Sequence, residues 1–441
     1  MKSLSKSQIM ALGFMTFALF LGAGNIIFPA AAGVQSGSQL WLVAVGFLLT
    51  GVGLPLATVI ALAKVGGGLQ TLTAPIGVRA GTVFAIMVYL AIGPFFATPR
   101  TAVVAYEIGI VPFFGEHWWL LLLFSSLYFA TVLYLALNPN KILVRIGQFI
   151  TPVLLAALVL LGLATLFNPA GSLGEASGHY ASQPMTQGFL DGYLTMDALG
   201  ALVFGVVIAG TIRSQGVTEL KQITRYSIYA GLIAALGLSV VYVSLFYLGA
   251  TSHQIAADAT NGGQVLAIYV HYAFGDWGIL LLSVVITLAC LTTATGLLAA
   301  CGEYFKWLWG IRYQRTVVFF ALFSLVVANQ GLTQLIKVSV PALVGLYPLA
   351  IVLVLLSFLK PIWHNPGRVF KSVLLMTLVF GLVDALVVAG VDWQLLTVFQ
   401  QLPLAHKQMA WVLPACALVV VLTLLDRKHP NVNKQAHTPL D

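Results

Sequence analysis

The chain has 441 residues, of which 60% are hydrophobic and only 8% are charged, and its formal net charge is +8. Soluble domains have roughly 45–50% apolar and 25% charged residues, so this composition excludes a soluble protein and predicts an all-α polytopic membrane protein in contact with membrane lipid. A β-barrel is excluded because the apolar runs are long and do not alternate with polar residues. The basic residues are scattered between these runs, which gives no indication of a nucleic-acid partner.

Twelve transmembrane helices are predicted from apolar runs bounded by polar residues, glycine or proline. Their approximate limits are 8–33, 39–63, 79–109, 118–137, 142–167, 188–212, 223–250, 277–303, 314–330, 334–359, 370–390 and 408–426. All lysines and arginines except Arg100, Lys337 and Lys407 then fall on one side of the membrane. Cytoplasmic loops are rich in basic residues, so both termini, including a polar tail at 427–441, are predicted to be cytoplasmic.

The first span contains FLGAGNIIFP at residues 20–29, where glycine, asparagine and proline interrupt the apolar run. Gly22 and Gly24 allow the helix to unwind, and unwound backbone inside a membrane is tolerated only where it lines a cavity or binds something. Freed carbonyl groups and the Asn25 side chain suit a small cation, and the N-terminus of the second half-helix suits a carboxylate. The alternative is a helix-packing surface made of small residues. We expect a break at a binding site.

The third span contains VYLAIGPFFATPRTA at residues 88–102, whose two prolines predict a kink. Arg100 is expected either to pair with Glu107, about two turns further on, or to lie on the substrate route. Tyr89 and Phe95 are candidates for gating or for the wall of a pocket, with plain core packing as the alternative.

The sixth span contains DGYLTMDALG at residues 191–200, a polar interruption comparable to that of the first span. A carboxylate near the middle of a membrane is costly, so Asp197 should face a cavity, an ion or a hydrogen-bond donor. The alternative is that Asp197 caps the second half of this span.

No motif in the sequence indicates an enzyme or a cofactor. The glycine cluster KVGGGLQ at 64–70 lacks the pattern of a phosphate-binding loop, and there is no HExxH sequence. Transport driven by an ion gradient is therefore the leading prediction, with an ion channel or a membrane scaffold as the alternative from another class.

Four stretches resemble the bacterial branched-chain amino acid–cation symporters (BrnQ type), and the first also resembles the broken first helix of the LeuT-type transporters. They are FLGAGNIIFPAAAG at 20–33, GPFFATPRTA at 93–102, DGYLTMDALGALVFG at 191–205 and LTTATGLLAACGEYF at 291–305. The resemblance implies a single transmembrane domain in the cell inner membrane. It also implies a LeuT-type 5+5 inverted repeat with broken helices 1 and 6. Its repeats would cover about 8–167 and 188–359, followed by two C-terminal helices at about 370–426.

This resemblance further implies import of leucine, isoleucine and valine together with a cation. The substrate-binding residues would be Gly22, Ala23, Gly24, Asn25, Tyr193, Thr195 and Asp197. The pattern ACLTT in the eighth span would supply a Na⁺ site formed by Ala18, Leu21, Ala289, Thr292 and Thr293. A second Na⁺ site would use Asn25 and Thr195. The alternative for the two threonines of ACLTT is hydrogen bonding to carbonyl groups of their own helix.

The coupling ion is expected to be Na⁺, with H⁺ as the alternative. In the second case Asp197 would carry the proton. The sequence leaves open the ion stoichiometry, the ranking of the three substrates, and whether the protein is a monomer or a homo-oligomer.

Overall fold

The structure is a computed structural model, and the residues it describes are 3–137, 141–391, 399 and 402–428. For 141–151 and 427–428 only the backbone is described. Almost all of the predicted tail at 427–441, and much of the predicted loop at 391–407, lie outside the described residues.

The regular elements of the described chain are helices. In the first half they are α1 (Lys6–Phe20), α2 (Ala23–Ser36), α3 (Leu40–Leu48), α4 (Leu54–Val65), α5 (Leu69–Thr73), α6 (Val78–Leu90), α7 (Ala97–Gly109), α8 (Val111–Phe114), α9 (Trp118–Leu137) and α10 (Lys141–Phe167). In the second half they are α11 (Gly178–Ser182), α12 (Pro184–Asp191), α13 (Asp197–Ser214), α14 (Leu220–Thr251), α15 (Gly262–Trp309), α16 (Tyr313–Ala328), α17 (Leu332–Leu359), α18 (Pro366–Val388) and α19 (Val412–Lys428).

Many of these helices are apolar enough for a membrane. Within the described ranges, eight helical stretches are long and apolar enough to cross a bilayer, and four shorter apolar helices accompany them. The all-α prediction is correct, and the chain is a multi-pass membrane protein. The predicted span at 118–137 has the same limits as α9, whereas the predicted span at 39–63 is divided between α3 and α4 by a wider π-type turn at Leu49–Gly53.

The predicted kink of the third span is present between α6 and α7. A π-type turn occupies Ala91–Phe95, and Gly93 inside it has non-helical angles (φ −90°, ψ −119°) just before Pro94. Proline removes a helical hydrogen bond and clashes with the preceding turn, so the two helices meet at an angle here. After this kink, Thr98, Pro99 and Arg100 in the first turn of α7 are buried.

The chain forms two compact units. The first comprises Met1–Gly66 and Ile86–Val340, and the second comprises Gly67–Ala85 and Pro341–Asp441. Within the second unit, Asp426 of α19 accepts hydrogen bonds from the backbone amides of His364 (2.6 Å) and Asn365 (3.0 Å), just before α18 begins. All of the candidate site residues belong to the first unit.

Within the first unit, α2 and α14 contact each other through their backbones. A Cβ atom added to Gly33 would lie 3.0 Å from the Cα atom of Gly249, and a Cβ atom added to Gly249 would lie equally close to the Cα atom of Gly33. Small residues at a crossing allow helices in a membrane to approach this closely. The pair of glycines therefore holds the second half of the first predicted span against the seventh.

The long helix α15 consists of two parts. It begins after Asn261, whose side chain caps the amides of Gly263 and Gln264, and it turns sharply at Gly275 (φ 64°, ψ −161°). Left-handed backbone of this kind favours glycine. The first part lies in the segment between the seventh and eighth predicted spans, residues 251–276. It is packed into the first unit rather than lying on the surface, because Leu266 and other apolar residues in it are buried.

Candidate functional site

The first predicted span is interrupted between α1 and α2. Leu21 and Gly22 have extended angles (φ −70°, ψ 94° and φ −117°, ψ −172°). The side chain of Asn25 stabilises this interruption, because its Oδ1 atom accepts a hydrogen bond of 3.1 Å from the Gly22 amide. Asn25 is the third residue of α2, and a side chain at this position can reach back to the amide of the N-cap residue, as in a capping box.

The interruption changes the partners of two carbonyl groups. In a continuous helix the amide of Gly22 would bond the carbonyl of Ala18, and here it donates to Asn25 instead. The amide of Asn25 would likewise bond the carbonyl of Leu21, and here it donates to the carbonyl of Gly22 at 3.2 Å. The carbonyl groups of Ala18 and Leu21 thus lose their usual helical donors.

The sixth predicted span is interrupted between α12 and α13. Gly192–Thr195 forms a 3₁₀ turn, and Met196 then adopts left-handed angles (φ 63°, ψ 13°) before α13 begins at Asp197. A left-handed conformation is unfavourable for a side chain such as methionine. Met196 is buried, so the surrounding packing maintains this conformation, as is common at binding sites.

Three polar side chains connect the two interruptions. Asn25 Nδ2 donates a 2.6 Å hydrogen bond to Asp197 Oδ2, and the hydroxyl of Tyr242 on α14 donates to the same oxygen, also at 2.6 Å. Asn25 Nδ2 also donates to the Tyr242 hydroxyl. All three residues are buried. The network therefore satisfies one buried carboxylate oxygen and ties α2, α13 and α14 together.

Arg100 approaches the same region from α7. Its Nη1 atom donates a 2.8 Å hydrogen bond to the carbonyl of Leu194, and its guanidinium lies over the Phe28 ring, 5.0 Å from the ring centre. Glu107 accepts hydrogen bonds from Asn261 (3.5 Å) and Gln264 (3.4 Å) instead. Arg100 and Glu107, which the sequence allows as an ion pair, thus bond to different partners.

A cavity lies between the two interruptions. Its polar part includes Gly22, Ala23, Gly24, Asn25, Arg100, Thr101, Thr195, Asp197 and Thr293. Its apolar wall consists of Leu19, Phe20, Ile92, Ala97, Met196, Phe204 and Leu297. The cavity therefore combines opposite charges and helix ends with an aliphatic and aromatic wall, which suits a small zwitterion with an apolar side chain.

The five residues predicted for the first Na⁺ site are on α1, at the interruption and on α15. A Cβ atom added to Gly22 would lie 3.5 Å from the Thr293 methyl group, so the interruption and this part of α15 are adjacent. The Thr292 hydroxyl donates to the carbonyl of Ala289 at 2.8 Å. This is the helix-internal bond that the sequence offers as the alternative.

The residues predicted for a second Na⁺ site have other hydrogen bonds. The Asn25 oxygen accepts from the Gly22 amide, and the Thr195 hydroxyl donates to the carbonyl of Gly192 at 2.9 Å. A cation at this position would have to share both oxygens with these partners.

Of the residues predicted to bind the substrate or to act as gates, three lie outside the cavity lining. Tyr193 is buried and packs edge-on against Phe189, with ring centres 5.5 Å apart. Tyr89 stacks on Tyr304 at 3.9 Å, and Phe95 packs on Phe323 at 5.2 Å. The contact of Tyr89 corresponds to the core packing that was the alternative for this residue, whereas Phe95 is exposed.

Tyr242, Phe28 and the apolar wall of the cavity were not predicted from the sequence as parts of the site. Tyr242 and Phe204 lie within continuous apolar helices, where an aromatic residue gives no sign of its partner. A polar tip on a buried tyrosine usually needs a hydrogen-bond partner, and this was the one signal that could have singled out Tyr242.

The chain is similar throughout its length to known transport proteins. The model of the family described as "Branched-chain amino acid transport protein" matches residues 5–429. The branched-chain amino acid transport system 2 carrier protein of Pseudomonas aeruginosa is 58% identical over 97% of this chain and 98% of its own length. The branched-chain amino acid permease BrnQ of Escherichia coli K12 is 46% identical over 96% of this chain and 97% of its own. These relatives are named carriers and permeases and not enzymes.

Solved transporters share the fold. Mhp1, a nucleobase–cation-symport-1 family transporter in a closed conformation, matches with a TM-score of 0.60 at 16% identity, over 95% of this chain and 92% of its own. MhsT in complex with L-phenylalanine matches with a TM-score of 0.56 at 14% identity, over 94% of this chain and 98% of its own. The likeness supports the fold alone. Together with the family match it confirms the resemblance seen in the sequence, and the chain belongs to the family of branched-chain amino acid transport proteins.

Proposed function

We propose that the protein imports leucine, isoleucine and valine across the cell inner membrane by symport with Na⁺. In this proposal it has twelve spans and a LeuT-type 5+5 inverted repeat, with spans one and six broken at the substrate site and both termini in the cytoplasm. The observation that carries the proposal is the cavity between the α1–α2 and α12–α13 interruptions, which joins charged groups to an apolar wall. Alternating access would expose this cavity to each side of the membrane in turn.

The lining of the cavity supports an amino acid substrate. The N-terminus of α2, at Ala23 and Gly24, attracts a carboxylate, and Asp197 attracts an ammonium group. The apolar wall would receive the aliphatic side chain, and the relatives are named for branched-chain amino acids. One methylene changes binding by only about 0.8 kcal/mol, so we expect a shallow preference among the three substrates.

The geometry of the α1–α2 interruption supports Na⁺ as the coupling ion. The carbonyl groups of Ala18 and Leu21 have lost their helical donors, and Thr293 lies beside Gly22. With the carbonyl of Ala289 and the hydroxyl of Thr292 these groups would supply five neutral oxygens. Such a set suits a monovalent cation, whereas calcium needs more oxygens and negative charge. In the same proposal, Asn25 and Thr195 would form a second Na⁺ site.

The contacts among spans one, six and seven support a rocking mechanism. The Asn25–Tyr242–Asp197 network and the Gly33–Gly249 crossing join these three spans. Elements that share buried hydrogen bonds and backbone contacts are expected to move as one body. A bundle of spans one, two, six and seven would then rock against the other spans.

A proton-coupled carrier is the second candidate function. It is favoured by one observation, the buried carboxylate of Asp197 with a hydroxyl group of Tyr242 at 2.6 Å. An intramembrane carboxylate in such a network is the usual form of a proton relay. In this case transport would follow the proton gradient, and the threonine oxygens would be dispensable.

We expect uptake of labelled leucine into proteoliposomes to follow an inward Na⁺ gradient and not an inward proton gradient. Thr292→Ala should reduce the Na⁺-driven uptake by at least about tenfold, because it removes one of five proposed ligands. Thr295→Ala is the matched control, since Thr295 lies on the same helix and donates only to its own helix, to the carbonyl of Leu291 at 2.7 Å. This control should change uptake by less than about twofold.

Uptake driven only by protons, with Thr292→Ala unaffected, would overturn Na⁺ coupling and favour the second candidate. Leucine flux that does not saturate would favour a channel. Leucine and ion fluxes that do not depend on each other would favour it as well. Equal losses in Thr292→Ala and Thr295→Ala would show that the threonines act through stability alone.

A further inference from the structure

Arg100 is a buried cation at the wall of the substrate cavity. Only 2% of its surface is exposed, and it lines the cavity together with Gly24 and Asp197. A charge inside a membrane protein is costly and usually marks a functional site. The substrate contacts and the cation site proposed above do not include Arg100.

The guanidinium lies directly beside the first interruption. A Cβ atom added to Gly24 would lie 3.4 Å from Arg100 Cζ, and the helix that begins at Ala23 directs its positive end into the same cavity. The fixed charge of Arg100 and the backbone amides thus reinforce each other at one place. That combination is strongly attractive to an anion.

The guanidinium is held in a defined orientation. Its Nη1 atom donates to the Leu194 carbonyl at 2.8 Å, and the Phe28 ring lies beneath it at 5.0 Å. A guanidinium presents five N–H donors in a rigid plane. This planar fork matches the two oxygens of a carboxylate.

The cavity contains one positive and one negative side chain, Arg100 and Asp197. A free α-amino acid carries one carboxylate and one ammonium group on the same carbon atom. We propose that Arg100 binds the α-carboxylate of the transported amino acid, and that it thereby restricts transport to molecules with a free carboxylate. This inference rests on the proposed function and names a specificity-determining residue within it.

Competition between leucine and leucinamide tests the role of Arg100. Leucinamide keeps the ammonium group and the side chain but has no carboxylate. The measurement is leucine counterflow in proteoliposomes, with each compound as competitor, for the wild type, Arg100→Gln and Arg100→Lys. Counterflow needs no ion gradient, so the result does not depend on the identity of the coupling ion.

In Arg100→Gln we expect the apparent affinity for leucine to fall by at least about tenfold and that for leucinamide by less than about threefold. The advantage of leucine over leucinamide should therefore shrink. Arg100→Lys should keep part of this advantage, because the ammonium group retains the charge but not the planar fork. Should Arg100→Gln not fold, the reduced advantage in Arg100→Lys tests the same point.

An unchanged ratio of leucine to leucinamide affinity in a folded variant would overturn the inference, since a structural role would weaken both compounds alike. This outcome differs from failure of the proposed function. In that case the wild type itself would show no leucine counterflow.

Discussion

Asp197→Asn is expected to weaken leucine binding by at least about 30-fold while the protein remains folded. The substitution keeps the size of the side chain and removes its negative charge from a buried site that has Asn25 and Tyr242 as neighbours. Removing one partner of a buried charge pair costs about 2–5 kcal/mol, and 2 kcal/mol corresponds to about 30-fold. Counterflow of labelled leucine, with the concentration for half-saturation as the readout, measures this loss.

Asp191→Asn is the matched control. Asp191 is also a buried carboxylate of the sixth predicted span, and it accepts hydrogen bonds from Tyr180 (2.8 Å) and Gln187 (2.9 Å) outside the cavity lining. Its replacement should leave the half-saturation concentration for leucine within about threefold of the wild type. A loss of binding in Asp191→Asn as large as in Asp197→Asn would contradict the special role of the cavity carboxylate.

The Asp197→Asn variant also separates the two candidate functions. If Asp197 binds the substrate ammonium group, Asp197→Asn loses gradient-driven uptake and gradient-free counterflow together. If Asp197 carries the coupling proton, the neutral amide resembles the protonated acid, so counterflow should persist while proton-driven uptake is lost. We expect the first result. The second would move the coupling from the five-oxygen set to Asp197.

Local sequence indicates where the two helix interruptions are expected. Gly22 indicates the first because glycine has few conformational restrictions, and Asn25 because a polar side chain in an apolar run is costly. Asp197 indicates the second because a carboxylate in an apolar run is costly wherever its partners lie. These are properties of single residues and their neighbours, and they needed no knowledge of the tertiary structure.

Residues that act through distant contacts were not predictable. Tyr242 meets Asn25 across 217 residues of chain, and the cation–π contact of Arg100 with Phe28 joins two different helices. Nothing in the surrounding apolar sequence distinguishes these aromatic residues from ordinary core. Tyr89, an aromatic residue near a predicted kink, stacks on Tyr304 outside the cavity lining, and this partner too is distant in the sequence.

Gly249→Ala is expected to lower the apparent unfolding temperature of the detergent-solubilised protein by about 1–4 °C. A Cβ atom at this position would overlap the backbone carbonyl of Ala30 and would lie 3.0 Å from the Cα atom of Gly33. Both neighbours are backbone atoms of α2, so relief requires the two helices to separate. Overpacking of this kind typically costs about 1–3 kcal/mol.

Gly210→Ala provides the control for the Gly249→Ala substitution. Gly210 is also a helical glycine, on α13, but no atom lies within 4 Å of an added Cβ. Alanine is the better helix former by about 1 kcal/mol, so Gly210→Ala should leave the unfolding temperature unchanged or raise it. If the Gly249→Ala protein also unfolds at the wild-type temperature, backbone contact at this crossing does not hold α2 and α14 together. The argument that spans one and seven move as one body would then rest on the Asn25–Tyr242–Asp197 network alone.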